Sequence, residues 1–174
     1  MIWPFRRKSK KRMARIVIDE PITSSTRVSV IKALKQIEDR EFPALILRID
    51  SPGGTVGDSQ EIYSAIKRLK DRGCKVVASF GNISASGGVY IGVASDKIVA
   101  NPGTITGSIG VIIRGNNLSE LLNKIGIKFE TVKSGIYKDI LSPDKPLSDD
   151  GRALLQGLIA VSYTHLTLPT KRIV

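Results

Sequence analysis

The sequence predicts an α/β fold built on a mostly parallel sheet, because short apolar runs alternate along the chain with helical patterns. Residues 16–18, 44–49 and 75–80 have the composition of buried strands. The second of these runs is apolar almost throughout rather than at alternate positions, which is typical of a strand covered on both faces. We therefore expect these strands to lie side by side, with helices on the faces of the sheet.

The segments between the strands have the spacing of amphipathic helices. The first helix is expected to begin near Ser25 and to turn four apolar residues toward the core, namely Val28, Ile31, Leu34 and Ile37. The second helix carries its own core residues, Ile62, Ala65, Ile66 and Leu69. Farther along, the pattern predicts a helix of small residues from Ser86, a strand at 97–100, a helix at 118–124 and a strand at 127–132.

Length and composition are those of one ordinary globular domain. The chain has 174 residues, of which 41% are hydrophobic and 25% are charged. No apolar run approaches the roughly 20 residues of a membrane-spanning helix. The single cysteine, Cys74, excludes an intrachain disulfide and is interpreted as a structural residue before a strand.

The net charge of +11 belongs to the two ends of the chain. Residues 16–160 carry 18 basic and all 16 acidic side chains, so the body is nearly neutral. A nucleic-acid partner is therefore not expected, because it would need a basic patch on the folded body.

The first 14 residues are expected to form a basic tail outside the domain. Trp3 and Phe5 stand before a polybasic run that extends to Arg15. Residues 1–15 have the composition for peripheral contact with an anionic membrane surface. A solvated tail without a partner is an equal alternative. The expected location is accordingly cytoplasmic or peripheral to a membrane.

The other end, residues 161–174, does not continue the domain pattern. Residues 161–170 resemble the translation of a sequencing adapter, and they follow a helical pattern that includes Leu154 and Leu155. We therefore expect a domain at 15–160, cut short at its carboxyl end, followed by a non-native tail. His165, the sole histidine, lies in that tail, so a Ser-His triad is not expected.

Two glycine-rich segments follow predicted strands, where α/β folds open onto ligand-binding crevices. In residues 50–55, Gly53 and Gly54 allow the backbone to approach a ligand closely, although a tight turn explains them equally well. In residues 81–88, Ser86 precedes two glycines at a helix start, which suits a nucleophile whose neighbouring N–H groups hold an oxyanion. Ser84 is a rival nucleophile, and Ser86 can also be a simple helix N-cap.

A serine nucleophile needs a base, and lysine serves when burial favours its neutral amine. Lys133 and Lys138 lie in one loop after the last predicted strand. Asp139 beside Lys138 favours the charged amine, so this segment alone does not identify a base. A solvated surface lysine is the simpler interpretation of either residue.

Four segments in order resemble the signatures of the signal peptide peptidase A family. They are residues 48–54 (RIDSPGG), 84–90 (SASGGVY), 101–111 (NPGTITGSIGV) and 133–143 (KSGIYKDILSP). The resemblance covers about residues 14–160. It implies a crotonase-like (Clp-protease-like) ββα superhelix and a serine endopeptidase that degrades cleaved signal peptides and other membrane-associated polypeptides.

Motif by motif, the resemblance implies Ser86 as nucleophile and Lys138 as general base. Gly87, with Gly53 or Gly54, would supply the oxyanion N–H groups. The family further implies a homo-oligomeric ring with the dyad shared between protomers, peptide substrates, and neither metal nor cofactor.

Two departures from the family pattern affect these expectations. Members of the family often have an amino-terminal transmembrane anchor, which is not expected in this sequence. Members also extend well past the position of residue 160, so the truncated chain itself can be inactive. Two alternatives remain: a crotonase-like acyl-CoA enzyme using the same backbone oxyanion hole, and an inactive membrane-associated scaffold.

Overall fold

The computed structural model describes residues 12–167, which form two compact units. Residues 12–109 belong to the first unit and residues 110–167 to the second. Residues 1–11, which hold most of the predicted membrane-contacting tail, lie outside the described residues. So do residues 168–174 of the predicted non-native tail.

The first unit is an α/β structure with a parallel sheet. Its elements in chain order are β1 (Ala14–Ile18), α1 (Ser24–Asp39), β2 (Ala44–Ser51), α2 (Val56–Asp71), β3 (Lys75–Ala85), α3 (Gly87–Gly92), β4 (Lys97–Val99) and β5 (Ile105–Gly107). The sheet order is β1-β2-β3-β4, and β5 pairs with the far end of β3. Every one of these strand pairs is parallel, which confirms the predicted fold class.

The core lies between α1, α2 and one face of the sheet. Along β2, Leu45, Leu47 and Ile49 are at most 1% exposed, whereas the residues between them are half-buried. All four predicted core residues of α2 are buried against this face. Each buried aliphatic side chain of this size contributes about 1.5–3 kcal/mol. β2 is therefore buried on one face and half-buried on the other, whereas the continuous apolar run predicted burial on both faces.

The buried face of α1 differs from the prediction. Leu34 and Ile37 are buried as expected, but Val28 is 55% exposed and Val30 takes its place in the core. Thr26 explains the shift, because its side chain is buried and its hydroxyl donates to the Glu20 carboxylate at 2.9 Å. With Thr26 facing inward, the residue one turn later is Val30.

β3 is longer than the sequence predicts. We expected a strand at 75–80 followed by a loop, but the strand continues through the glycine-rich segment to Ala85. Its last three residues pair with β5, a strand that the hydrophobic pattern did not reveal. This long-range pairing holds the segment before Ser86 extended.

The second unit contains α4 (Ser119–Lys124) and α5 (Asp149–Thr167). The predicted strand at 127–132 is wrong: this segment is irregular, with Phe129 59% exposed. An apolar run forms a strand only where another strand pairs with it, and within residues 12–167 none does so here. Helix α5 continues past residue 160, and the proposed domain boundary there stays a prediction. None of the described helices has the length and apolarity to cross a bilayer.

Candidate active site

Ser86 lies at the junction between β3 and α3 in an unusual backbone conformation. Its φ is 51° and its ψ is −117°, a region that residues with a side chain rarely adopt. Two hydrogen bonds hold it there: the Ser86 N–H donates to the Gly107 carbonyl at 2.9 Å, and its own carbonyl accepts from the Tyr90 N–H at 3.0 Å. Such strain persists where surrounding contacts over-determine the backbone, and it concentrates at functional sites.

Burial distinguishes Ser86 from Ser84, which the sequence alone did not. Ser84 is fully buried within β3, between Ser51 of β2 and Thr106 of β5. Its hydroxyl has no hydrogen-bond partner among the described residues. Ser86 is half-buried, at the point where the strand ends. A substrate can therefore reach Ser86 but not Ser84.

The two glycine-rich segments meet at Ser86. Gly53 has a φ of +98°, and a Cβ built on it would lie 2.9 Å from the Ser86 Cβ and 2.8 Å from the Gly87 nitrogen. Both distances are too short for real Cβ contacts. The close approach of the two backbones thus requires glycine at position 53, and it brings the sequence-predicted Gly53, Gly54 and Gly87 together around Ser86.

The backbone N–H groups at this junction differ in their availability. The Gly53 N–H already donates to the Ser51 hydroxyl at 3.2 Å, and Gly53 is buried. The N–H groups of Gly54, which is exposed, and Gly87, which is buried, have no acceptor among residues 12–167. A buried N–H without an acceptor is rare in folded proteins. Both N–H groups are therefore uncommitted within the described residues, as the backbone donors of an oxyanion hole must be.

Asp50 ties the two glycine-rich segments to each other, a role that sequence reasoning missed. Its carboxylate accepts hydrogen bonds from the backbone N–H groups of Ile83 at 3.1 Å and Asn82 at 3.2 Å. These bonds, with a smaller contribution from Arg48, hold the pKa of Asp50 below its usual value. A Cβ on Gly81 would overlap the Asp50 carboxylate, so this contact also requires glycine at position 81. The available signal was an acidic residue in the last two positions of β2, separated from the PGG turn by Ser51 alone.

The two candidate lysines have different surroundings within the second unit. The amine of Lys133 forms an ion pair with Asp139 at 2.6 Å, and Lys145 pairs with the same carboxylate. The hydrogen bonds from Lys133 and Lys145 lower the pKa of Asp139 to about 2. Lys138 is exposed and has no acidic partner among the described residues. Asp139 therefore pairs with Lys133, and Lys138 has no carboxylate partner among the described residues.

Ser86 and Lys138 belong to different units, the first and the second respectively. The three glycines and Ser86 come together in the first unit. Within residues 12–167, no three His, Cys, Asp or Glu side chains are grouped as a metal site would require.

Comparison with known proteins identifies the family. The model of peptidase family S49 matches residues 68–167, and that of Clp protease matches residues 7–104. The chain belongs to peptidase family S49. The predicted resemblance to signal peptide peptidase A and the Clp-protease-like fold are thereby confirmed.

Two relatives of the S49 chain, from different organisms, carry peptidase names. A protein of Synechocystis sp. to which a protease function is attributed is 59% identical over 94% of this chain. A protein of Enterococcus faecium to which a signal peptide peptidase function is attributed is 41% identical over 75% of it. The chain spans 58% and 38% of the length of these two relatives.

A solved protease structure is similar to this chain in fold and sequence. A lysine-to-alanine mutant of a membrane-bound stomatin-specific protease, in complex with a substrate peptide, has a TM-score of 0.51 and is 28% identical. The match covers 60% of this chain and 47% of that one. The fold and the family matches thus agree on peptidase family S49.

Proposed function

We propose that this S49 peptidase is a serine endopeptidase in which Ser86 is the nucleophile and Lys138 the general base. The observation that carries the proposal is the strained, half-buried Ser86 beside backbone N–H groups that have no acceptor among the described residues. The surroundings of the two lysines support Lys138 as the base: it has no carboxylate partner among residues 12–167, whereas the Lys133 amine is occupied by its ion pair with Asp139.

The reaction is acyl transfer. The neutral Lys138 amine takes the proton of the Ser86 hydroxyl, and the oxygen attacks a peptide carbonyl. The N–H groups of Gly87 and Gly54 stabilise the oxyanion, each placed before the reaction begins. Of the two neighbouring glycines, Gly54 is the better donor, because the Gly53 N–H is committed to Ser51. The protonated Lys138 gives its proton to the leaving amine as the peptide bond breaks, and the neutral Lys138 then takes a proton from the water that hydrolyses the acyl-enzyme.

Assembly of protomers completes the site in this proposal. Lysine acts as a base where its surroundings exclude water and so favour the neutral amine. The exposed Lys138 of a single chain lacks such surroundings. We infer that a homo-oligomeric ring covers it, with Ser86 of one protomer meeting Lys138 of the next. The substrates are cleaved signal peptides and other membrane-associated polypeptides, with residues 1–15 as a peripheral membrane contact.

The test is hydrolysis of a fluorogenic apolar peptide by two forms of the protein. One form is the 174-residue chain, and in the other the residues after 160 are replaced by the corresponding and remaining sequence of its Synechocystis relative. Ser86→Ala and Lys138→Ala should each abolish activity with folding and oligomer size unchanged. Ser84→Ala and Lys133→Ala are the matched controls and should stay active.

A mixture of the two inactive variants tests the shared dyad. If protomers exchange, Ser86→Ala and Lys138→Ala subunits assembled together should regain part of the activity, because some interfaces then carry both intact residues. Activity that survives either substitution alone removes that residue from its role. The proposal is overturned if neither form of the protein has activity that depends on Ser86.

A further inference from the structure

Ile22 fixes the direction of the Gly54 N–H. We call residues 52–55 the oxyanion loop. The Ile22 N–H donates to the Gly53 carbonyl at 2.9 Å, and the Thr55 N–H donates to the Ile22 carbonyl at 3.0 Å. In a trans peptide the carbonyl and the N–H point in opposite directions. Because the Gly53 carbonyl points at Ile22, the Gly54 N–H of the same peptide unit points away from it.

The far end of the oxyanion loop is held by a second set of contacts. Thr55 is the N-cap residue of α2, and its hydroxyl hydrogen-bonds to the carboxylate of Asp58. Asp58 in turn accepts from the Arg27 Nε at 2.8 Å, and Arg27 also reaches Glu61 at 3.0 Å. The Thr55 hydroxyl is the largest cause that holds the pKa of Asp58 below its usual value, and Arg27 adds to it. The carboxylate is therefore charged at neutral pH.

The ion pair between Arg27 and Asp58 thus joins α1 to α2 close to the residues that bond to the oxyanion loop. Arg27 lies in the second turn of α1, shortly after Ile22, and Asp58 lies in the first turn of α2, shortly after Thr55. The side chains of this pair are 27% and 12% exposed. Asp58 is thus better shielded from water than the partners of an ordinary surface ion pair, which contribute little. The pair fixes the start of α1 against the start of α2, on either side of the oxyanion loop.

We propose that Arg27 and Asp58 are positioning residues that hold the Gly54 N–H in place for the oxyanion. The inference rests on the proposed peptidase function, to which it adds two residues that do not touch the substrate. Small displacements of a preorganised donor reduce the rate of the chemical step, since the donor acts in the transition state. Substrate binding in the ground state does not depend on that donor.

The same two helices provide a matched control. Glu38 near the end of α1 forms an ion pair with Arg72 at the end of α2. This second pair also joins α1 to α2, but at the ends of the helices opposite to the oxyanion loop. Loss of a helix-to-helix ion pair in general can therefore be separated from loss of the pair beside the loop.

The experiment compares Arg27→Gln and Asp58→Asn with Glu38→Gln. Hydrogen exchange of residues 52–57, followed by mass spectrometry, should be several-fold faster in the first two variants and unchanged in the third. In peptide hydrolysis, kcat should fall about tenfold in the first two with KM within about twofold, and Glu38→Gln should keep the parent values. Melting temperatures show whether each variant is folded.

The two proposals fail in different ways. Equal loop exchange in all three variants, or equal loss of kcat in all three, overturns the positioning role. If the parent shows no Ser86-dependent hydrolysis, the peptidase proposal fails, and the exchange measurement alone then decides whether the pair holds the loop.

Discussion

Replacing Gly54 by alanine should reduce catalysis by the proposed oxyanion hole more than it destabilises the fold. A Cβ at position 54 would lie 1.9 Å from the Ile22 carbonyl oxygen and 2.7 Å from the Ile22 nitrogen. Ile22 is 0% exposed, and its backbone is bonded to both Gly53 and Thr55. Ile22 therefore cannot yield, and the loop must retreat by about 1.5 Å to reach a normal contact distance.

The size of the effect follows from that displacement. A misplacement of about 1 Å can cost about 100-fold in rate, and loss of an oxyanion donor costs about 10²–10³ in kcat, or about 2.7–4 kcal/mol. We expect Gly54→Ala to lower kcat within this range. Overpacking of the loop should lower the free energy of unfolding by about 1–3 kcal/mol.

The assay pairs peptide hydrolysis with urea unfolding. Gly57→Ala is the control, because Gly57 lies in the first turn of α2 and a Cβ there meets nothing within 4 Å. That substitution should leave kcat unchanged and raise helix stability by about 0.5–1 kcal/mol. A folded Gly54→Ala variant with the kcat of the parent would refute the assignment of this loop to the oxyanion hole.

Three further expectations concern packing, acid stability and thiol reactivity. Gly92→Ala would bring a Cβ to 2.5 Å from the Phe80 ring, so unfolding experiments should show a loss of about 1–3 kcal/mol. Asp139 has a pKa of about 2, below the roughly 3.9 of an unfolded chain. Its contribution is therefore present above about pH 4 and lost as the pH falls toward 2; Asp139→Asn should remove that dependence in acid-induced unfolding. Cys74 is 5% exposed, and burial raises the pKa of its thiol, so a maleimide should label it only after the protein unfolds.

The sequence predicted the elements whose pattern is local. The core residues of α2 were all correct because their spacing repeats over a full 16-residue helix. The predictions that were wrong or incomplete concern residues whose structure depends on partners distant in sequence. Val30 replaces Val28 in the core because Thr26 bonds to residues before the helix. β5 has only three residues, and it is defined by pairing with β3 rather than by any pattern of its own.

The candidate site was predictable in composition but not in detail. Motif resemblance pointed to Ser86, yet only strand register shows Ser84 enclosed between two neighbouring strands. In the same way, adjacency in sequence suggested that Asp139 pairs with Lys138, whereas a turn brings Lys133 to it. Both distinctions depend on three-dimensional contacts that a linear pattern does not contain.

The tight glycine packing around Ser86 has a consequence for saturation mutagenesis. At several positions even a single methyl group overlaps a neighbouring backbone or side chain: Gly53, Gly54, Gly81, Gly87 and Gly92. The added Cβ alone causes the overlap, so serine should be at least as damaging as alanine at these positions. A map of tolerated substitutions would then mark these glycines as positions at which even the smallest replacement is damaging, while Gly57 and Gly103, where a Cβ meets nothing within 4 Å, would accept many.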